Sequence, residues 1–367
     1  MIKFVVILAA LSLTANALVI PATDSRIYHT EQNWYADPSG FLETINGGAY
    51  IKVGFNGSSF TFNLDDSFDK TTCTLAWSLD GGPEQNQTMP VTSKSITIAS
   101  GLKKDANHTL YLFVRNHFSV DRWYNTSSRL RIMSVTIDDD ATLFAPKLAP
   151  KRLMAYWDSI GEGVWINGNL SWEYAHDAHL TFAFSLALAL NAELSVVAYG
   201  GQGYTRWGAG FSPQLWNSSG LPNESSWNYL SVNRKRTFEN CPDYIINGHG
   251  TNDFMSDPNM VFTNALGWLR DMRKTCPTSR IFFTVPFGQF MEDTLVKVFQ
   301  TYQTESSDSL THLIQMGEQA SEGLKNQGPS FVAWDGLHPW AWKSSQLGAL
   351  LAAKIVPLLK PSYYLEI

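Results

Sequence analysis

An apolar run from Leu153 to Trp157 stops abruptly at Asp158-Ser159 and is followed by a turn rich in glycine. This pattern is typical of a buried strand that delivers one small polar side chain to the carboxyl edge of a parallel sheet. Ser159 therefore occupies the position of a nucleophile. A serine after a strand is more often a turn or helix-capping residue, so the interpretation depends on partners further along the chain.

Three later segments stand where such partners are needed. They are Gly200-Gly201-Gln202-Gly203-Tyr204-Thr205 after a second apolar run, Gly250-Thr251-Asn252-Asp253 after a third, and Asp335-Gly336-Leu337-His338-Pro339 before the last predicted helix. Because ligands of open α/β sheets bind at the carboxyl ends of the strands, we expect the segments to meet there.

In order and spacing, these four segments resemble the blocks of the SGNH, or GDSL-type, hydrolases, over roughly residues 151 to 360. The Gly-Thr-Asn-Asp and Asp-x-x-His-Pro segments match that family literally. The resemblance implies that Ser159 is the nucleophile, His338 the base and Asp335 its orienting partner. It also implies an oxyanion hole formed by the N–H groups of Ser159 and Gly203 and by the Asn252 side chain.

The residue types suit ester hydrolysis, which needs an activated hydroxyl, a base and donors aimed at the developing oxyanion. Asp335 and His338 can act from one loop, because the carboxylate accepts from one ring nitrogen while the other nitrogen faces Ser159. The sequence departs from the family at Trp157, where a glycine usually precedes Asp-Ser. This departure changes the packing expected around the nucleophile.

Length and composition narrow the range of functions. The chain has 367 residues, which is enough for two domains. Its net charge is −6 and it contains no run of Lys or Arg, so it lacks the electrostatic pattern of a nucleic-acid-binding protein. Aromatic residues make up 13% of the chain and include 13 tryptophans. Such a content suits either a site for a flat neutral ligand such as a sugar or large aromatic cores.

The first residues have the pattern of a secretory signal. Lys3 precedes an apolar stretch from residue 4 to residue 13, and Ala15-Asn16-Ala17 is a small-x-small cleavage site, so residues 1–17 are predicted to be removed. Seven N-glycosylation motifs agree with secretion, at Asn56, Asn86, Asn107, Asn125, Asn169, Asn217 and Asn223. No other stretch approaches the length of a membrane span, so no membrane partner is expected.

Two domains are predicted from the change in periodicity. Residues 18–145 show short alternating runs separated by Asn-Gly and Asp-Gly turns, which predicts a β-sandwich of jelly-roll type. Residues 146–152 are a linker, and residues 153–367 alternate strands with helices, including one helix over 174–191. That alternation predicts a three-layer α/β/α domain with a parallel sheet. The whole order resembles the family-two carbohydrate esterases, SGNH deacetylases of plant cell-wall polysaccharides.

Three cysteines permit at most one internal disulfide. Cys241 and Cys276 each lie just before a predicted strand of the parallel sheet, at residues 244–246 and 280–285. Because two such strands begin on the same side of the sheet, a Cys241–Cys276 bridge is predicted. Cys73 would then be free in the first domain.

Other titratable residues are interpreted as structural. His176 and His179 have helical spacing but no third ligand, so no metal site is predicted. His249 is expected to tune the site rather than act as a base, and the acids at 138–140 to be solvated rather than to bind calcium. No phosphate loop or dinucleotide motif is present, and no cofactor is expected.

The long irregular stretch from Thr205 to Asn240 contains three tryptophans. It is interpreted either as a substrate wall over the cleft or as a structural flap held by its own tryptophans. Trp207, just after the second segment, and Trp340, just after His338, are the candidates for stacking on a sugar ring.

Three functions are consistent with these sequence features. The first is a secreted, monomeric serine esterase that removes O-acetyl groups from polysaccharides such as xylan or glucomannan. The second is an SGNH lipase or esterase acting on lipid or small acyl esters. The third is a non-catalytic carbohydrate-binding protein on an esterase scaffold, suggested by Trp157. The acyl group, the polysaccharide and the regiochemistry stay open.

Overall fold

The computed structural model describes residues 17–65, 73–88, 94–117, 120–317 and 333–359. The predicted signal peptide therefore lies outside the described residues, apart from Ala17. Within the described part, no helix combines the length and the hydropathy that crossing a bilayer requires.

The first part consists of two antiparallel sheets. Its strands are β1 (Ala17–Pro21), β2 (Tyr28–His29), β3 (Tyr35–Ala36), β4 (Leu42–Thr44), β5 (Tyr50–Asn56), β6 (Phe60–Leu64), β7 (Cys73–Leu79), β8 (Gln85–Thr88), β9 (Ser95–Ala99), β10 (Asn107–His117), β11 (Leu130–Asp138) and β12 (Leu143–Phe144). One sheet has the order β3-β4-β11-β6-β9, with β1 on β11. The other has the order β12-β5-β10-β7-β8, with β2 on β5.

Alternating burial along the strands produces the core between these two sheets. In β6, Phe60, Phe62 and Leu64 are buried, whereas the residues between them are partly exposed. The rings of Phe55 and Phe60, from different sheets, have centroids 4.8 Å apart. Each fully buried side chain of this size contributes about 1.5–3 kcal/mol to the free energy of folding. The period-two pattern thus places one apolar face of each sheet against the other.

The second part alternates strands and helices. Its elements are β13 (Lys151–Trp157), α1 (Ser159–Glu162), α2 (Trp172–Ala175), α3 (Phe182–Ala189), β14 (Ala192–Ala198), β15 (Tyr229–Ser231), β16 (Arg234–Lys235), β17 (Tyr244–Asn247), α4 (Pro258–Thr275), β18 (Arg280–Val285), α5 (Glu292–Ser306), β19 (Thr311–Gln315) and α6 (Ala341–Leu359). The parallel sheet has the order β14-β13-β17-β18-β19. A small antiparallel hairpin, β15-β16, stands apart from it.

The central strand β13 shows how the three layers arise. Met154 and Tyr156 pack in the cluster that contains α4 and α5, whereas Ala155 and Trp157 pack in the cluster that contains α3 and α6. A parallel sheet buried on both faces is the arrangement that alternating strands and helices predict. The predicted fold class, a β-sandwich followed by a three-layer α/β/α part, is confirmed.

β13 begins two residues inside the predicted linker. Lys151 and Arg152 pair with Ala192 and Glu193 of β14, so the sheet ladder extends beyond the apolar run from which the strand was predicted. Polar side chains are tolerated at this end of the strand because it lies at the amino edge of the sheet, where the chain enters from the sandwich.

The sandwich covers the outer edge of the parallel sheet at β14. The Asn33 side chain accepts a hydrogen bond from the Val196 N–H at 2.9 Å and donates one to the Val196 carbonyl at 2.5 Å. These two bonds reproduce what a neighbouring strand would provide, and they occupy backbone groups of an edge strand. The two parts of the chain are therefore joined at the sheet edge by hydrogen bonds between a side chain of the sandwich and the backbone of β14.

Cys241 and Cys276 form a disulfide, with their Cα atoms 5.5 Å apart. The two cysteines precede β17 and β18, which are neighbours in the sheet. The third cysteine, Cys73, is buried in the core of the sandwich.

Candidate active site

Ser159 lies at the junction between β13 and α1. Asp158 caps the helix, since its Oδ1 accepts the N–H of Ile160 at 3.0 Å, and the chain turns back at Gly163 with φ of 76°. The strand ends because these polar and glycine residues favour a cap and a turn over continued pairing. Ser159 is thereby held at the carboxyl edge of the sheet.

The loop before α6 brings His338 and Asp335 to the same place. His338 Nε2 lies 2.8 Å from Ser159 Oγ, and His338 Nδ1 lies 2.6 Å from Asp335 Oδ2. The other carboxylate oxygen accepts the N–H groups of Leu337 at 3.0 Å and His338 at 2.8 Å. One carboxylate therefore folds the loop and orients the imidazole. The three side chains form a continuous chain of hydrogen bonds.

The surroundings of Asp335 favour its ionised form. Burial acts to raise the pKa of this carboxyl group, but the hydrogen bond and the charge of His338 and the two backbone N–H groups outweigh it, and the pKa falls to about 2. An ionised Asp335 keeps the proton of the imidazole on Nδ1. The Nε2 lone pair then faces the Ser159 hydroxyl, which is the arrangement that a general base requires.

A pocket of about 340 Å³ opens over the serine. Its lining residues are Ser159, Glu162, Val164, Trp172, Gly200, Gly201, Ala209, Asn252, Leu337 and His338. A larger cavity of about 610 Å³ lies elsewhere, against the sandwich, and none of Ser159, His338 and Asp335 lines it.

Gly203 does not take the position that the sequence resemblance gave it. Its N–H donates to the Arg206 carbonyl at 3.0 Å, and Gly203 is not among the lining residues of the pocket. A Cβ at this position would lie 2.5 Å from Asp253 Oδ2. Gly203 is therefore required for the close approach of Asp253, whose carboxylate accepts the N–H groups of Tyr204 and Thr205, both at 2.9 Å. The assignment of Gly203 as an oxyanion donor is corrected.

Gly201 is a second candidate from this segment, because it lines the pocket. Its N–H has no hydrogen-bond partner among the described residues, and a Cβ built on it would meet nothing within 4 Å. Its φ of 75° belongs to the left-handed region that favours glycine.

Asn252 lines the pocket as the third segment predicts. Its Nδ2 donates to the Gln202 carbonyl at 2.9 Å and, over a longer distance of 3.3 Å, to Asp158 Oδ2. Burial raises the pKa of Asp158 to about 6. The Asn252 amide is thus held by one short hydrogen bond and one longer hydrogen bond.

Removing the Asn252 amide should slow turnover without unfolding the protein. Asn252→Ala deletes one donor of the oxyanion hole that the family resemblance implies, and it is expected to lower kcat by roughly a hundred- to a thousandfold. Steady-state hydrolysis of an aryl acetate measures this loss. A variant with the wild-type kcat would remove Asn252 from the oxyanion hole.

Trp157 is accommodated away from the pocket. Its side chain is fully buried and packs on Phe182 and Phe287, with ring centroids at 4.5 and 5.9 Å. The ring fits because residue 248 is a glycine, where a Cβ would lie 2.0 Å from the indole. Trp157, which departs from the family pattern, therefore belongs to the apolar cluster on one face of the sheet and does not line the pocket beside Ser159.

The predicted tryptophan rim differs from the one observed. Trp207 is 49% exposed and Trp340 packs against Gly168 and Trp334, but neither lines the pocket. Trp172 does line it, with 38% of its surface exposed. Its ring lies 3.9 Å from that of His176, centroid to centroid, and the stack holds the indole in place. Trp172 was missed because α2 is separated from the four sequence segments.

None of His176, His179 and His249 forms a hydrogen bond with Ser159. Burial lowers the pKa of His176 and His179 to about 4, and that of His249 to about 3, so all three are neutral at neutral pH. His249 Nε2 lies 3.1 Å from Gln202 Oε1 and so supports the turn beside the pocket. Among the described residues, no group of three or more His, Cys, Asp or Glu side chains is arranged to hold a metal ion.

Most of the 205–240 stretch serves as a structural flap. Trp216 and Trp227 are buried in the core, and Trp216 Nε1 donates to Asp271 of α4 at 2.8 Å. Only Ala209 of this stretch is among the residues that line the pocket. The flap therefore contributes little surface to a substrate at Ser159.

Comparison with solved structures identifies the fold. A family two carbohydrate esterase from Cellvibrio japonicus superposes with a TM-score of 0.74 at 15% identity, covering 94% of this chain and 98% of that one. The chain has the fold of the family two carbohydrate esterases. No family model and no curated protein matches the sequence.

Two further structures have the same two-part fold. A family two carbohydrate esterase from Clostridium thermocellum in complex with cellohexaose has a TM-score of 0.73 at 17% identity, covering 91% of this chain and 100% of that one. An acetyl xylan esterase from the rumen bacterium Butyrivibrio proteoclasticus has a TM-score of 0.72 at 16% identity, with 94% and 99% covered. The similarity thus extends over both the sandwich and the α/β/α part.

Proposed function

We propose that this chain is a secreted, monomeric serine esterase that removes acetyl or other short acyl groups from plant cell-wall polysaccharides such as xylan or glucomannan. The observation that carries the proposal is the chain of hydrogen bonds from Ser159 through His338 to Asp335, at the carboxyl edge of the sheet. The fold shared with carbohydrate esterases, one of them an acetyl xylan esterase, supports the substrate class.

In the first half of the reaction, His338 Nε2 takes the proton of the Ser159 hydroxyl while Oγ attacks the acyl carbonyl carbon. The imidazolium is stabilised by the ionised Asp335. The tetrahedral intermediate collapses when its bond to the sugar oxygen breaks, and His338 returns the proton to that oxygen. The products are the free hydroxyl of the sugar and an acyl-Ser159.

In the second half, a water molecule attacks the acyl carbon of acyl-Ser159 while His338 Nε2 takes a proton from the water. The bond between the acyl carbon and Ser159 Oγ then breaks, His338 returns the proton to Oγ, and the carboxylic acid leaves. In both halves the negative oxygen is stabilised by the N–H groups of Ser159 and Gly201 and by the Asn252 amide, which belong to three residues that line the pocket. Gly201 replaces Gly203 in this role, because the Gly203 N–H is already bound to a carbonyl.

The pocket suits a small acyl group beside a sugar. Val164, Ala209 and Leu337 close the space next to Ser159, whereas Trp172 offers an indole that is held by His176. Tryptophan faces stack on the apolar faces of pyranose rings with little loss of conformational entropy. We therefore propose that the acyl group enters the pocket while a sugar ring stacks on Trp172.

Trp172→Ala separates the polysaccharide proposal from its alternatives. The substitution is expected to raise KM for acetylated xylan or glucomannan by about tenfold, or ~1.4 kcal/mol, and to change the kinetics on a small aryl acetate much less. The reason is that the small ester does not reach the indole. Initial rates on both substrates measure the difference.

Trp207→Ala is the comparison for this experiment, because it removes an exposed tryptophan outside the pocket. A larger loss on polysaccharide in Trp207→Ala than in Trp172→Ala would contradict the assignment of the sugar-binding ring. Faster cleavage of esters of eight or more carbons than of acetyl esters by the wild-type protein would favour the lipase alternative. A wild-type protein that binds polysaccharide but hydrolyses no ester would favour the non-catalytic one.

A further inference from the structure

A fully buried arginine extends from the sandwich into the second part of the chain. Arg122 lies between β10 and β11, and its Nη2 donates to Glu162 Oε1 at 2.5 Å. Its Nη1 donates to the His117 carbonyl at 3.1 Å, and the guanidinium lies over the Tyr199 ring, 5.3 Å from the centroid. The arginine is thus fixed on several sides and faces the carboxylate.

Glu162 connects this arginine to the pocket. It lies in α1, three residues after Ser159, and its second oxygen accepts the N–H of Gly200 at 2.6 Å. Gly200 precedes Gly201, and both line the pocket. The Gly200-Gly201 turn is therefore held by a carboxylate that is itself held by Arg122.

The pair matters because both groups are almost inaccessible to water. Glu162 is 5% exposed and Arg122 is completely buried. Without the guanidinium, a carboxylate at this depth is left as an uncompensated buried charge, which is unfavourable. Loss of Arg122 therefore disturbs the carboxylate that fixes the turn, and donors act on an oxyanion only when they are held in place beforehand.

We infer that Arg122 and Glu162 are positioning residues for the oxyanion hole, so that the sandwich completes the catalytic site of the α/β/α part. Arg122 acts through Glu162, and Glu162 acts through the Gly200-Gly201 turn. The inference rests on the proposed esterase function. It assigns to the sandwich a part in turnover in addition to its part in folding.

Glu162→Gln is the sharpest test, because an amide has only one acceptor oxygen and cannot serve both Arg122 and the Gly200 N–H. The expected result is a fall in kcat of at least tenfold with KM for an aryl acetate within about twofold of wild type, because the turn acts on the transition state and not on the bound ester. Arg122→Met should show the same combination of a lower kcat and a nearly unchanged KM. Arg122→Lys keeps the charge and should recover part of kcat.

Glu193→Gln and Lys52→Met are the matched controls. Glu193 is also 5% exposed, and it too accepts from a sandwich cation, Lys52 Nζ at 2.7 Å, and from a backbone N–H, that of Ala149 at 2.8 Å. It lies at the amino end of β14, whereas the pocket lies at the carboxyl end. These controls should lose thermal stability to a similar degree but keep kcat within about twofold of wild type.

The kinetics are measured at a temperature at which thermal unfolding curves show that every variant is folded. The concentration of active sites is measured by covalent labelling of Ser159 with a fluorophosphonate. If Glu162→Gln and Arg122→Lys keep the kcat of Glu193→Gln while the wild type is active, the inference is wrong. A wild-type protein that hydrolyses no ester overturns the proposed function instead. If Arg122→Met does not fold, Glu162→Gln and Arg122→Lys still decide the question.

Discussion

Ser159→Ala is expected to remove essentially all ester hydrolysis, a loss of roughly 10⁴- to 10⁶-fold in kcat. In the proposed mechanism the acyl intermediate forms on the hydroxyl oxygen of Ser159, and the methyl group of alanine cannot replace that oxygen. The hydrogen bond of 2.8 Å to His338 Nε2 is lost at the same time. Release of the aryl alcohol from an aryl acetate, followed over hours against a buffer blank, measures the residual rate.

His338→Ala should cause a comparable loss, and the double variant should be no worse than either single variant, because members of such a triad act as a unit. The Ser159→Ala protein should unfold at nearly the wild-type temperature, since one small side chain replaces another. Wild-type turnover by Ser159→Ala on an aryl acetate would refute the whole assignment of the site.

Asp335→Asn is expected to lower kcat by about 10⁴-fold while leaving the loop folded. The amide oxygen can still accept the N–H groups of Leu337 and His338, which hold the turn. The amide nitrogen, however, is a donor where Nδ1–H needs an acceptor, so the imidazole favours the tautomer with its proton on Nε2. That tautomer cannot accept the proton of Ser159. Steady-state kinetics together with thermal unfolding separate the two effects.

The pH dependence of stability gives an independent check on Asp335. Its pKa in the folded protein is about 2, below the ordinary value of 3.8. A lowered pKa stabilises the folded state above the ordinary value, and this contribution is lost as the pH falls through the folded value. The difference in unfolding temperature between wild type and Asp335→Asn should therefore shrink as the pH is lowered from 7 to 3. A difference that grows in acid would mean that the carboxylate is not stabilised by these contacts.

The elements that depend on local patterns were predictable. Period-two runs in strands such as β6 and the alternation of strands and helices after Lys151 specify a sandwich and a parallel sheet, because each pattern permits one way to bury its apolar face. The four polar segments could be placed at one sheet edge for the same reason. The structure brings the side chains of Ser159, Asp335 and His338 together there.

Features that depend on distant residues were not predictable. Gly203 was assigned to the oxyanion hole from the family resemblance, and nothing near it in the sequence shows that the Asp253 carboxylate occupies the space beside it. The single helix predicted over 174–191 is instead divided into α2 and α3. His176 between them packs on Trp172, which therefore reaches the pocket. In each case a tertiary contact overrides the local preference.

The two hydrogen bonds between Asn33 and Val196 limit how this architecture can be recombined. An α/β/α half expressed alone would present the bare backbone of β14 to other molecules, and unprotected strand edges promote aggregation. The two halves therefore cannot readily be exchanged between proteins. A chimera with a foreign sandwich would need that sandwich to place an amide side chain opposite Val196 of β14.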